Sequence, residues 1–213
     1  RLRRISTDLA VKAFVARVED VPLGALRADL LLACVDSRLA RRSINAIAWR
    51  LGLPWIDAGV NADGLLARGD VYAPGPEQPC LECAWDESDY AALEIAHPCD
   101  GEATPAPTNA PAALGALAAA LQALGCGKVL GGQWDQVLVG RQLTVSASAH
   151  RLHVTSFRAN PRCRFDHETW SIEVIDRTPD QITLSEAFDL GRGAPGEAPG
   201  HGVGIEGQVF VRD

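Results

Sequence analysis

The sequence contains no methionine, not even at position 1, which predicts that it begins inside a longer polypeptide. It has no basic excess: 20 Lys and Arg stand against 27 Asp and Glu, for a net charge of −7 and a pI of about 5.2. That balance argues against nucleic acid as a main partner. The apolar run Leu30–Val35 is far too short to span a bilayer, so no membrane partner is expected. The first residues, RLRRI, carry charge but no apolar h-region after it, so no signal peptide is expected there. The six cysteines are too sparse and too uneven for a disulfide scaffold. They favour a reducing, cytoplasmic setting in which some of them serve a metal or a reaction. Internal repeats are absent.

What is present is enough for a core: 47% of the 213 residues are hydrophobic, the content of one large domain or one and a half small ones. Residues 9–18 (LAVKAFVARV) read as a strand. ADLLLACVD (28–36) is a continuous apolar run closed by an aspartate, the pattern of a strand buried on both faces of a parallel sheet. A helix follows, N-capped by Ser37, with Ile44, Ile47, Ala48 and Leu51 as its inner stripe and Gly52 and Pro54 as its stop. LPWIDAGV (53–60) is the next strand, giving a strand–helix–strand unit and an α/β class. GLLARGDVYAP (64–74) reads as one more strand. Residues 86–110 lose periodicity and predict a long functional loop. Pro111 opens a long helix with Asn109 or Ala110 near its cap, a buried face of Leu114, Leu117, Leu121 and Leu124, and an end at Gly131–Gly132. Alternation over 141–157 predicts an antiparallel hairpin. Residues 190–205 hold six glycines and two prolines, the composition of a linker, and GQVFVRD closes the chain as a short strand.

PCLEC places Cys80 and Cys83 two residues apart in a Pro/Gly turn. Structural zinc takes four N or S ligands, often from two short knuckles. The second knuckle is NPRCRFDH, with Cys163 and His167 at a Cys-x3-His spacing. Asp166 stands where a further cysteine would fall, but imidazole is the commoner zinc ligand, so His167 is preferred. A redox pair fits less well, because that motif opens a helix just after a strand. Cys34 and Cys126 read as core or helix-packing residues. Cys99, beside His97 in the polar loop, is either an accessible nucleophile or an incidental surface thiol.

Asp36 ends a predicted parallel strand just before a helix, where ligands of open α/β sheets bind. A carboxylate there can hold Mg2+ on phosphates, and Arg41 and Arg42 lie within phosphate reach. On these residues alone, a capping carboxylate and two solvated arginines explain the pattern more simply.

Taken together, ACVDSRLARRSIN, PWIDAGV, PCLEC, the cysteine loop, PAALGALAAALQALGCGKVLGG and NPRC resemble, in order and approximate spacing, the ThiF/MoeB/HesA superfamily of bacterial relatives of ubiquitin-activating enzymes. The resemblance covers residues 1 to about 167. It implies a Rossmann-like, mostly parallel sheet with an antiparallel C-terminal extension and a structural zinc site. It also implies an adenylation domain over residues 1–178, with 179–213 as linker and tail. The activity implied is ATP- and Mg2+-dependent adenylation of the C-terminal glycine of a ubiquitin-like or sulfur-carrier β-grasp protein, with transfer to a cysteine in some members. Asp36 is then the nucleotide and Mg2+ aspartate. Arg41 and Asn45 match the Arg and Asn of the following helix, and Cys80, Cys83 and Cys163 match three of four zinc cysteines. Cys99 lies in the loop where thioester-forming members carry their cysteine, and Lys128 falls near the end of the helix that follows. A homodimer is the usual assembly.

Three departures stand out. The family's glycine-rich GxGxxG turn, and the Arg and Lys that follow it, are missing, so this chain alone is expected to be inactive. Ser37 replaces the usual Asn after Asp36, and His167 replaces the fourth cysteine. The alternative implied by the first departure is a non-catalytic, zinc-stabilised relative that docks a protein partner.

Overall fold

In the computed structural model, residues 2–94, 110–172, 177, 181–186, 203–205 and 208–210 are described. A single helical turn, α1 (Leu2–Ile5), opens the chain. The main sheet runs in the order β1 (Leu31–Ala33), β2 (Trp55–Asn61), β3 (Leu66–Tyr72), β4 (Arg141–Ser146), β5 (Arg151–Ser156). Its β1–β2 pair is parallel, because helix α2 (Arg38–Leu51) makes the crossover between them. The other three junctions are antiparallel. This corrects the expected sheet type: among the described residues, the sheet is mixed and mainly antiparallel. The cause is local. β2 returns as β3 through residues 62–65, where Asn61 Oδ1 accepts from Gly64 N at 2.7 Å, and so short a connection can only reverse the chain.

The capping of α2 follows its sequence. Ser37 Oγ accepts from Ala40 N at 3.1 Å, and Gly52 ends the helix with φ at 65°. Ile44, Ile47 and Ala48 are buried; Leu51 is only half-buried. On one side of the sheet, Ile44 and Ala48 pack with Ala33, Trp55, Tyr72 and Leu81. Trp55 and Tyr72 stack with ring centroids 4.7 Å apart. Alternation sends Ile56, Ala67 and Val71 to the other side, against helix α4 (Ala112–Leu130). Close approach there needs glycine: a Cβ on Gly69 would sit 3.2 Å from Leu121 Cβ.

By length and composition α4 is apolar enough to cross a membrane, yet Leu114, Ala118, Gln122 and Val129 are buried within the fold. Its buried stripe is therefore shifted from the expected one. Leu114 is buried, Leu117 and Leu121 are half-buried, and Leu124 points outward at 65% exposure. The helix starts at Ala112, with Pro111 as its N-cap.

Further expectations change. Residues 9–18 form no strand; a strand needs a paired edge whatever its propensity, and no described strand pairs with this segment. The run 28–36 shortens to a three-residue edge strand. Leu31 and Ala33 face α2, but α4 covers β2 and β3 rather than β1, so Leu32 and Cys34 are exposed. Cys34 is thus no core residue; its thiol donates to Gln122 Oε1 at 3.3 Å. The loop after residue 85 begins with a short helix, α3 (Glu87–Ala91), capped by Asp86. The predicted hairpin forms as β4–β5. At the C-terminus β6 (Val203–Ile205) pairs with β7 (Gln208–Phe210), so the end of the expected linker is itself a strand.

Candidate functional site

The first knuckle is a 3-10 turn over Leu81–Ala84, preceded by Cys80. Helix α2 holds it from beneath: Asn45, fully buried, accepts the Leu81 N–H at 3.1 Å through Oδ1. The second knuckle is a turn in which Cys163 N donates to Asn160 O at 2.9 Å. Asn160 N in turn donates to Cys83 Sγ at 3.3 Å. Together they bring Cys80, Cys83, Cys163 and His167 into one cluster whose ligand atoms all lie within 4.8 Å of one another.

The spacings fit a tetrahedral cation. Cys80 Sγ lies 3.8 Å from Cys83 Sγ and 3.7 Å from Cys163 Sγ. A tetrahedral site with metal–sulfur bonds of about 2.3 Å puts its sulfurs about 3.8 Å apart. His167 Nε2 stands 3.1 Å from Cys83 Sγ. The donor set, three soft sulfurs and one imidazole, is that of zinc-type sites. The thiols are electrostatically unequal. Cys83 is lowered below the ordinary thiol range, first by the hydrogen bond from the Cys80 thiol and then by the backbone N–H groups of Asn160 and Cys80. Cys80 is driven above the ordinary thiol range by its hydrogen bond to Cys83 and by burial, and burial raises Cys163.

His167, not Asp166, completes the cluster. It sits in the left-handed backbone region with φ at 59°, a conformation that His tolerates better than most residues. Its ring meets the edge of Trp49 at a centroid distance of 4.9 Å. Asp166 turns away and pairs with Arg50.

Asp36 lies exposed between the end of β1 and the N-cap of α2. Arg41, one turn on, points inward. Its Nε donates to Asp57 Oδ1 at 2.8 Å, and its Nη2 donates to the carbonyls of Val35 (2.7 Å) and Ala58 (3.3 Å). Arg41 therefore fixes the backbone just before Asp36. Arg42, expected within reach of phosphate, pairs with the buried Glu82 at 3.3 Å. Asn45 contacts the first cysteine knuckle through Leu81 rather than the Asp36 end. Lys128 donates to Gln136 O at 3.2 Å. Cys126 packs with Ile56, Val71 and Val129, as helix packing predicts. Cys99 and His97 lie outside the described residues.

Sequence reasoning missed a set of buried charges. Asp57 and Asp70 are register partners on β2 and β3, at 0% and 1% exposure. Carboxylates in that position repel unless cations separate them. Arg68 does so, pairing with Asp57 at 2.6 Å and with Asp70, while Arg41 takes the other Asp57 oxygen. Two clues were available: an aspartate inside the apolar PWIDAGV, and an Arg-x-Asp with both side chains on one face of the next strand.

The sequence pattern of the ThiF family matches residues 1–165, more than three quarters of the chain. The chain belongs to the ThiF family. Among curated ThiF relatives, it is 30% identical over 98 residues to the ubiquitin-like modifier-activating enzyme 5 of Oryza sativa subsp. japonica, covering 39% of this chain and 23% of that protein. It is 32% identical over 90 residues to the sulfur carrier protein ThiS adenylyltransferase of Escherichia coli (strain K12), covering 41% and 35%. Among solved structures it is similar to E. coli MccB crystallised with ATP, at a TM-score of 0.56 and 21% identity over 76% of this chain and 47% of that one. A complex of MccB with N-formylated MccA matches equally well, at 0.56 and 20%, over 76% and 48%. These likenesses show a shared fold. The chain spans about a quarter to a third of the curated relatives and about half of MccB.

Proposed function

We propose that the intact protein adenylates the C-terminal carboxylate of a ubiquitin-like or sulfur-carrier β-grasp protein. The observation that carries the reading is Asp36. It is an exposed carboxylate between a parallel strand and a capped helix, in a chain whose family and relatives include a ThiS adenylyltransferase. A hard oxygen donor at that position suits Mg2+ carried on phosphates. ATP supplies the α-phosphorus and a pyrophosphate leaving group. The partner's carboxylate oxygen forms the new P–O bond, and the electrons of the broken one depart with pyrophosphate. Asp36 holds the cation. Arg41 serves the same site by fixing the Val35 carbonyl ahead of Asp36, and Asn45 by seating α2 on the cysteine knuckle. In this reading Cys99 is the thiol to which the acyl group moves, its thiolate displacing AMP.

The Cys80, Cys83, Cys163, His167 cluster holds zinc in a structural role, because four protein ligands leave no position open for chemistry. A homodimer, the usual family assembly, is part of the proposal.

One observation favours a second reading. Arg41 is committed to Asp57 and two carbonyls, which suits a protein-docking role without nucleotide chemistry. Calorimetry of Mg2+–ATP with the full-length protein separates the two. Binding that Asp36→Asn weakens supports the enzyme; no binding at millimolar nucleotide supports the docking relative.

A further inference from the structure

His167 reaches the three sulfurs from a loop with little regular structure, and one residue holds that loop from both sides. Arg50, on the last turn of α2, has a side chain only 18% exposed. Its guanidinium forks onto Asp166: Nη1 donates to Oδ1 at 2.8 Å and Nη2 to Oδ2 at 2.6 Å. Nη1 also donates to the Glu168 carbonyl at 2.7 Å. The Arg50 carbonyl accepts from Trp170 N at 3.0 Å. The same guanidinium lies over the rings of Phe165 and Trp170, 5.2 and 5.5 Å from their centroids. Residues 165, 166, 168 and 170 thus all contact Arg50, whereas residue 167 faces the other way, onto Cys83 and Trp49. A left-handed residue between two gripped neighbours has its side-chain direction set by them.

We propose that Arg50 is the positioning residue for the fourth metal ligand, through the Asp166 fork and the Glu168 carbonyl. The inference rests on the zinc reading above. A carboxylate next to a histidine ligand is here tied to an arginine rather than to the metal, and the same arginine belongs to the helix that carries the first knuckle through Asn45. Partners outside the ligand set commonly change metal affinity by about 10- to 100-fold.

The test uses the full-length protein loaded with zinc, with release to a chromophoric chelator followed in time, and the Co2+-substituted protein read by its visible spectrum. The wild type should show the spectrum of a tetrahedral site with three thiolate sulfurs and one imidazole nitrogen. Arg50→Ala, and Arg50→Lys, which keeps the charge but not the fork, should release zinc about 10 to 100 times faster and shift the Co2+ bands as the imidazole leaves. Asp166→Asn, an exposed and milder change, should do the same in part and serves if Arg50→Ala fails to fold. Arg164→Ala breaks an exposed ion pair with Glu87 next to Cys163 and should leave release unchanged. Wild-type release rates and an unaltered spectrum in the Arg50 and Asp166 variants overturn the positioning role. A wild type that takes up neither zinc nor Co2+ overturns the zinc reading itself.

Discussion

The most exacting stability prediction concerns Arg68→Ala. Arg68 lies between two carboxylates that have almost no contact with water: Asp57 at 0% and Asp70 at 1% exposure. Asp57 keeps a second cation after the change, because Arg41 holds its other oxygen at 2.8 Å. Asp70 keeps none among the described residues, and its Oδ1 already lacks a hydrogen-bond partner there. Removing one partner of a fully buried ion pair costs about 3–5 kcal/mol. The Arg68 side chain is 28% exposed, so water can enter the space it leaves, and the lower end of that range, about 3 kcal/mol, is expected. Removing both charges together, as Arg68→Met with Asp70→Leu, should cost less than Arg68→Ala, because no unpaired carboxylate remains. Urea unfolding of the full-length protein, read by tryptophan fluorescence, to which the buried Trp49 and Trp55 contribute, measures both. A cost below about 1 kcal/mol for Arg68→Ala, or a double variant less stable than the single one, would refute the reasoning.

Cys83→Ala should abolish zinc uptake and lower thermal stability, since structural metal binding is folding free energy; metal analysis with a melting curve checks it, and unchanged stability contradicts the structural role. Asn45→Ala leaves the Leu81 N–H buried without its acceptor, and should cost about 1–3 kcal/mol in urea unfolding. Cys99→Ala should spare ATP–pyrophosphate exchange while removing any covalent acyl-enzyme detected by mass spectrometry, and an adduct that survives rules Cys99 out as the nucleophile.

Much of the fold could be read from the sequence where local chemistry decided it. Ser37 and Gly52 bound α2 as capping rules require, and the β4–β5 hairpin followed from alternation. The grouping of Cys80, Cys83, Cys163 and His167 was legible because side-chain spacing is a local property of each knuckle. What was not legible depends on neighbours distant in sequence. Residues 9–18 have strand composition but no partner edge among the described strands. Leu124 fits the apolar stripe, yet the stripe that packs is set by where Gly69 lets α4 approach the sheet. Arg41 read as a solvated arginine on the residues alone and as a nucleotide-site residue by resemblance, whereas its inward turn depends on Asp57, sixteen positions away. Arg50 gave no sign of its contacts, because its partners Asp166 and Glu168 lie more than a hundred residues on.

The central claim is that the intact protein activates a carboxylate with ATP at Asp36. Isotope exchange between ATP and pyrophosphate, run on the full-length protein with candidate β-grasp proteins ending in Gly-Gly, tests it most directly. Exchange is predicted for the wild type, with loss in Asp36→Asn while the fold and zinc content are kept. Exchange that persists undiminished in Asp36→Asn, or a full-length protein that neither exchanges nor binds Mg2+–ATP, contradicts the account.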